Sequence, residues 1–285
     1  MSDSAEPIHV RLAELAGPAD SGQVVVDLGC GAGPTLRAVS RKAPQASLIG
    51  IDRSAESLRQ VHAALAGHKG STATIVADLR DSLPCSDASV DVVLSYNTIE
   101  CLPDPLEMLA EVARVLRPGG RAVIAHVDFD SMVIAGADAD LDRRVCHAFA
   151  DDAQSWMDHA DGRIGRKLGL LLAYSPLDLV GVEPLLVWST EFTGHAKDRV
   201  DQIRKALLSA ARHGRGAVAP EEVEAWYTSV RDADQLGGFF FSELAFIAVA
   251  EKTRSGRIGH GAGSHDGRRA APVGAGSMLH LPTAA

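Results

Sequence analysis

Cysteine is scarce: Cys30, Cys85, Cys101 and Cys146 are the only four in 285 residues, and no two form a CxxC pair. That excludes a disulfide-built scaffold and gives neither zinc-knuckle nor thioredoxin-type spacing. Scattered thiols fit a reducing compartment, so the expected location is the cytoplasm. His147 and His159 stand too far apart to suggest a metal site, and none is expected. Aromatic residues are only 5% and are not interleaved with a basic stripe. Basic residues are outnumbered 28 to 37, for a formal charge of −9, which argues against a nucleic-acid partner. Long apolar runs are missing too. The most apolar stretch, Leu168 to Trp188, is broken by Pro176, Asp178, Glu183 and Pro184. It falls short of the roughly 20 apolar residues of a bilayer span, so no membrane association is expected. The first residues, MSDSAEPIHV, have no basic start and no apolar core, so no secretory signal is expected.

What is present is an alternation. Short apolar runs occur at 24–28 (VVVDL), 47–52 (SLIGID), 72–78 (TATIVAD), 90–95 (VDVVLS) and 121–128 (RAVIAHVD). Helix patterns lie between them at about 34–42, 54–66 and 105–116. Pro34, Ser54 and the pair Asp104-Pro105 supply helix starts. Strand and helix in this rhythm predict an α/β fold with a mostly parallel sheet covered by helices on both faces. Further helices are expected at about 139–150, 163–173, 198–212 and 220–236, with strands at 185–192 and 239–252. The last two strands need the first sheet to pair with. Residues 1–251 therefore read as one domain: a ligand-binding half over 23–128, and cap helices over 129–240 before the last strand. The segment 252–285 has seven glycines, no periodicity and a net charge of +4, which predicts a disordered tail.

The chemical signal is the turn after the first strand, Asp27-Leu28-Gly29-Cys30-Gly31-Ala32-Gly33-Pro34. Missing Cβ atoms let a ligand approach the backbone, and a helix start offers N–H donors. A dinucleotide site wants G-x-G-x-x-G, whereas Gly29, Gly31 and Gly33 are spaced G-x-G-x-G. Asp27, just before the turn, suits a cationic amine better than a phosphate, or else simply caps the turn.

These residues resemble motif I of the class I S-adenosylmethionine (SAM)-dependent methyltransferases. The resemblance continues in order. Asp52 ends the second strand, where the family binds both ribose hydroxyls, and Arg53 follows it. Asp78-Leu79 follows the third strand, at the family's adenine contact. LPCSDASVDVVLSYNTIECLPDP (83–105) leads through Asn97, near the cofactor, and LRPGGRAVIAH (116–126) matches the turn and fifth strand. About 105 residues resemble the family closely, and 224–252 is similar to its small-molecule branch, typified by ubiquinone- and menaquinone-biosynthesis-like enzymes. The resemblance implies a Rossmann-like, seven-stranded sheet. It also implies SAM bound by Asp27, Gly29, Cys30, Gly31, Gly33, Asp52, Arg53, Asp78, Leu79 and Asn97, and methyl transfer to nitrogen, oxygen or carbon of a small-molecule acceptor. Cys30 reads as a small filler rather than a nucleophile. The alternative is a protein that binds SAM without moving its methyl, as a regulator or for another reaction.

On the acceptor side, His126 and Asp128 share one face if extended, and together can serve as a base near neutral pH. The competing reading is that His126 finishes the strand core and Asp128 contacts backbone. Tyr96, Trp156, Met157 and Arg163 are candidates for binding the acceptor, with core packing or a solvated helix face as the competing readings. For the helices near 198–212 and 220–236 core packing is the default reading, with closure over the site or a homodimer contact as the alternatives.

Overall fold

The computed structural model describes residues 7–17, 22–136, 138–152, 157, 159–253 and 278–280. Its centre is β1 (Val24–Leu28), lying parallel between β2 (Ser47–Asp52) and β4 (Val90–Tyr96). β3 (Thr72–Val76) extends the sheet beyond β2, and β5 (Leu116–Ala135) lies parallel to β4 on the other side. β7 (Phe240–Glu251) is antiparallel to both β5 and β6 (Asp178–Ser189). The order is β3-β2-β1-β4-β5-β7-β6-β8, where β8 is Met278–His280, a three-residue strand parallel to β6. The expected seven strands are all present, with this short eighth added at the edge; apart from Lys252, Thr253 and β8, the expected tail lies outside the described residues.

Local chemistry sets the helix starts that the sequence predicts. α2 (Pro34–Lys42) opens on proline after Gly33. α3 (Ala55–Ala64) is capped by Ser54, whose hydroxyl accepts the Ser57 N–H. Asp104 caps α4 (Pro105–Val115) by accepting from Leu106 and Glu107. α5 (Ala139–Asp151), α6 (Ile164–Ala173), α7 (Gly194–Arg212) and α8 (Pro220–Gln235) also form. Three elements depart from expectation. α1 (Pro7–Leu15) has only Ile8, His9, Leu12 and Ala13 buried, too brief a stripe to stand out in the sequence. β6 starts at Asp178 rather than 185 because its first half is exposed and so lacks an alternating apolar signal. Pro184 fits there because, among the described residues, β8 pairs only with Leu186 to Trp188 and leaves Pro184 without a partner on that edge. β5 continues past Asp128, after a register break, to pair Val133, Ile134 and Ala135 with β7.

Two apolar layers cover the sheet. One buries residues of α1, α2, α3, α5, α7 and α8; the other buries residues of α4 and α6. Among the described residues, no helix is long and apolar enough to cross a membrane. Trp226 is fully buried on α8, and its indole N–H donates to Asp142 on α5 at 3.1 Å. Of the pair Trp226 and Tyr227, the tryptophan thus faces the core. Trp226→Ala is expected to lower unfolding stability by about 3–5 kcal/mol, read as a fall in urea midpoint at unchanged slope.

Candidate active site

The carboxyl ends of β1 to β4 surround a cavity of about 430 Å³. Gly29, Asp52, Arg53, Asp78, Leu79 and Asn97 line it, as do Ser54, Ser57, Thr98 and Cys101. This is the mouth of a parallel sheet where its strand order reverses, the place where such sheets hold ligands. The glycine turn beneath it is strained in the way its sequence allows: Gly29, Gly31 and Gly33 have φ of 69°, 51° and 82°. A Cβ on Gly29 would stand 2.2 Å from the Thr98 hydroxyl oxygen.

The turn's donors are already used. Gly29 and Cys30 both donate to Ile51 O, at 2.8 and 3.1 Å, and Gly33 donates to Cys30 O. Gly31 N–H donates to Asp52 Oδ2 at 2.9 Å, while Ser54 N–H donates to Asp52 Oδ1 at 2.8 Å. The expectation of free N–H donors therefore fails at these four residues. What the turn offers a guest is space and carboxylates. Each Asp52 oxygen keeps capacity for a further hydrogen bond.

Asp27 sits below the turn with 2% of its surface exposed, and its Oδ2 has no hydrogen-bond partner. Burial, reinforced by the nearby Asp52 charge, pushes its carboxyl up to about 8. Asp78 differs: Arg80 grips both its oxygens, with Nη2 at 2.6 Å from Oδ2, and holds it down at about 2. Cys30 packs against Gly50, where an added Cβ would meet its sulfur at 2.8 Å. Burial, then the Asp27 and Asp52 charges, raise its thiol well above the ordinary value, so it is a filler and not a thiolate. Asn97 adopts a left-handed φ of 51°, which asparagine tolerates. Its Oδ1 accepts the Val127 N–H at 2.9 Å, so it ties the end of β4 to the middle of β5.

A second cavity of about 230 Å³ shares Asn97. Phe129, Phe149 and Met157 supply its apolar walls; Glu100, Asp152, Arg199 and Gln202 are among its polar groups. Of the acceptor-side candidates, only Met157 lines it. Trp156 lies outside the described residues. Tyr96 instead packs edge-on to His9, ring centroids 5.3 Å apart, under α1. Arg163 does not line either cavity, because Asp130 and Asp151 hold it at 3.2 and 2.8 Å. Asp128 is buried and clamped by the guanidinium of Arg166. His126 is fully buried, and the carboxylate nearest its Nε2 is Glu100, at 3.6 Å, rather than Asp128. The expected His126–Asp128 base is thus two separate pairs, because α6 brings an arginine to Asp128.

Sequence reasoning missed Glu100, Arg199 and Glu243. Glu100 had a signal: an acid flanked by Ile99, Cys101 and Leu102, three residues after Asn97. Arg199 and Glu243 had none, because β7 and α7 meet only in the fold. Arg199 donates to Glu243 at 2.7 Å, and His195 Nε2 lies 2.6 Å from the same carboxylate. Burial works to raise Glu243, but Arg199 and His195 outweigh it and hold the group at about 2.

Residues 26–124 match a family model described as a methyltransferase domain. An uncharacterized 37.1 kDa protein in transposon Tn4556 of Streptomyces fradiae is 31% identical over 237 residues, 81% of this chain and 63% of that protein. A trans-aconitate 2-methyltransferase of Azoarcus sp. strain BH72 is 40% identical over 103 residues, 36% of this chain and 38% of the enzyme. The chain therefore spans less than two thirds of either relative. A geranyl diphosphate methyltransferase solved in complex with SAM has the same fold, with a TM-score of 0.51 at 16% identity, covering 86% of this chain and 84% of that one.

The buried Asp27 gives a pH signature. The folded carboxyl keeps its proton to about 8, whereas the unfolded one releases it near 4. Between those values unfolding releases a proton, so stability falls as pH rises. Relative to Asp27→Asn, the wild-type protein is expected to lose stability progressively from about pH 4 to about pH 8 and to level off beyond, as measured by urea melts across that range.

Proposed function

We propose that this chain, which over residues 26–124 matches a methyltransferase-domain family model, is an enzyme that moves the methyl group of SAM to a small-molecule acceptor. The observation that carries this reading is the 430 Å³ cavity, which brings Gly29, Asp52, Asp78, Leu79 and Asn97 to one mouth of the sheet. Residues 1–251 form the methyltransferase unit, with the cofactor half over 23–128 and the acceptor side over 129–240. The four free cysteines support a cytoplasmic setting.

The residues fit this cofactor. Asp52, its two oxygens already steadied by Gly31 and Ser54, accepts both hydroxyls of a ribose. Leu79 offers an apolar surface to a purine ring, and Asp78 an acceptor beside it. Gly29 to Gly33 leave room for the methionine moiety, with Cys30 filling space behind. Arg53 closes the rim. Bound SAM supplies an electrophilic methyl on a sulfonium cation. Asp27, buried with an orphan oxygen, favours a guest that is cationic over one that is anionic. Asn97, shared by both cavities, marks the passage between cofactor and acceptor. The chain's contribution is positioning and exclusion of water, for which effective molarities correspond to roughly 7–11 kcal/mol.

Isothermal titration tests this directly. Wild-type protein is expected to bind SAM, and Asp52→Ala to weaken it at least tenfold; undiminished affinity in the variant would overturn the ribose assignment. Near pH 7 binding is also expected to release a proton from Asp27, seen as a heat that differs between phosphate and Tris buffers and vanishes in Asp27→Asn. Label from methyl-labelled SAM appearing in an acceptor completes the test.

A further inference from the structure

The reading above leaves the acceptor open, and the second cavity narrows it. Two carboxylates face that space from different elements. Glu100 lies on the 3-10 turn Ile99–Cys101 after β4 and is 4% exposed. Asp152 follows α5, and its Oδ2 is buried without a hydrogen-bond partner. Burial raises the Asp152 carboxyl against the opposing pull of Arg215. One cation shares the lining, Arg199, but its charge is balanced within the wall. Its Nε and Nη2 donate to Glu243 at 2.7 and 3.3 Å, and Nη1 donates to Gln202 at 2.5 Å. Arg215, outside the lining, reaches Asp152 Oδ1 at 3.4 Å, and the remaining balance is negative at Glu100, beside the apolar walls of Phe129 and Phe149.

Behind Glu100 the hydrogen-bond count is one proton short. His126 Nδ1 lies 2.7 Å from the carbonyl oxygen of Val127, which can only accept, so Nδ1 carries the ring proton. In the neutral ring Nε2 is then a bare acceptor. It is fully buried, has no partner, and points at Glu100 Oε2 from 3.6 Å. Two acceptors face each other across a gap that a single proton would close. An incoming acidic hydrogen would be received there and shared, at a site adjoining the cofactor cavity through Asn97.

We propose that this cavity takes an amine acceptor, held as its ammonium between Glu100 and Asp152, and that Glu100, positioned by His126, receives the amine's proton. The inference rests on the methyl-transfer reading. In the step, the ammonium N–H bond breaks and its proton goes to Glu100, shared with His126 Nε2. The freed nitrogen lone pair forms the new N–C bond as the methyl–sulfur bond breaks. The sulfur keeps that electron pair and leaves as S-adenosylhomocysteine. The product is the N-methylammonium.

The test uses the full chain and three probes on one skeleton: phenethylamine, 2-phenylethanol and 3-phenylpropanoate. Calorimetry first measures S-adenosylhomocysteine binding, then each probe against that complex. Failure to bind S-adenosylhomocysteine would remove the methyl-transfer reading and this inference with it. With that complex formed, phenethylamine is expected to bind at least tenfold more tightly than either other probe. The preference should be lost in Glu100→Gln and reduced in Asp152→Asn, whose side chain is nearer the rim. Equal binding, preference for the alcohol or carboxylate, or no amine binding would overturn the amine assignment while leaving cofactor binding intact. The proton's destination is read from pH. Wild-type kcat/KM for phenethylamine should be level from pH 7 to 9. Glu100→Gln must use the scarce free amine, so its kcat/KM should rise about tenfold per pH unit. His126→Asn should tilt the profile the same way while keeping the amine preference in binding. A level profile in Glu100→Gln would overturn the proton assignment. Among the described residues, the charged groups nearest this pair are Asp152 after α5 with its partner Arg215, Arg199 on α7 with Glu243, and the Asp128–Arg166 pair along β5; all are kept in every variant except Asp152→Asn.

Discussion

Asp52 holds two turns together with one carboxylate. It accepts Gly31 N–H from the turn after β1 and Ser54 N–H from the turn after β2. Ile51 O adds two further bonds from Gly29 and Cys30 across the same junction. The glycine loop is therefore fixed by the neighbouring strand end. Its left-handed residues, which cost conformational entropy in the unfolded chain, are committed to one shape. Because those N–H groups are spent inside the protein, the loop is a poor anion cradle. The G-x-G-x-G spacing and this hydrogen-bond account agree on a ligand that is not a pyrophosphate.

The same junction stores electrostatic cost. Asp27 is buried beneath Asp52, with an unpartnered oxygen and a carboxyl pushed up to about 8. A buried carboxylate is tolerated when a cation accompanies it, and a neutral carboxyl otherwise. The site resolves this by keeping the proton. A cationic guest would replace that proton, so affinity and protonation are coupled at one residue. The contrast with Glu243 is instructive. That group is equally enclosed, yet Arg199 and His195 stabilise its charge from within the chain. One buried acid is complete; the other is left incomplete beneath the glycine turn.

How far the sequence could be read follows from how local each cause is. β1 and β2 match their apolar runs residue for residue, because buried parallel strands are near-continuous Val, Leu and Ile. Pro34, Ser54 and Asp104 announce their helices through capping chemistry that acts within three residues. The glycine turn, Asp52, Asp78 and Asn97 were legible as neighbours at one mouth of the sheet because each closes a recognisable strand. The partners of His126 and Asp128 were not. His126 and Asp128 are two residues apart on one face, and local logic pairs them. The fold separates them, since α6 delivers Arg166 to Asp128 and the turn after β4 delivers Glu100 to His126. Neither partner is within twenty residues of the group it meets.

That difference has a structural cause in β5. Up to Ala125 the strand pairs with both β4 and β7, and up to Asp128 it keeps its regular register with β7. The register with β7 then breaks, and Phe129 enters the wall of the second cavity before pairing resumes at Val133. The break lets the chain leave the regular sheet for one turn without losing the β7 edge, as a bulge does. It also places Phe129 where Arg199 stacks over its ring, 5.1 Å from the centroid, so the wall from β5 and the wall from α7 meet in one contact. The mouth at β1 to β4 is built by turns that each close over a few residues. The second cavity is built by this one irregularity and the helices that converge on it. Changes in those helices can reshape the second cavity while the Asp52 junction, which they do not touch, stays as it is.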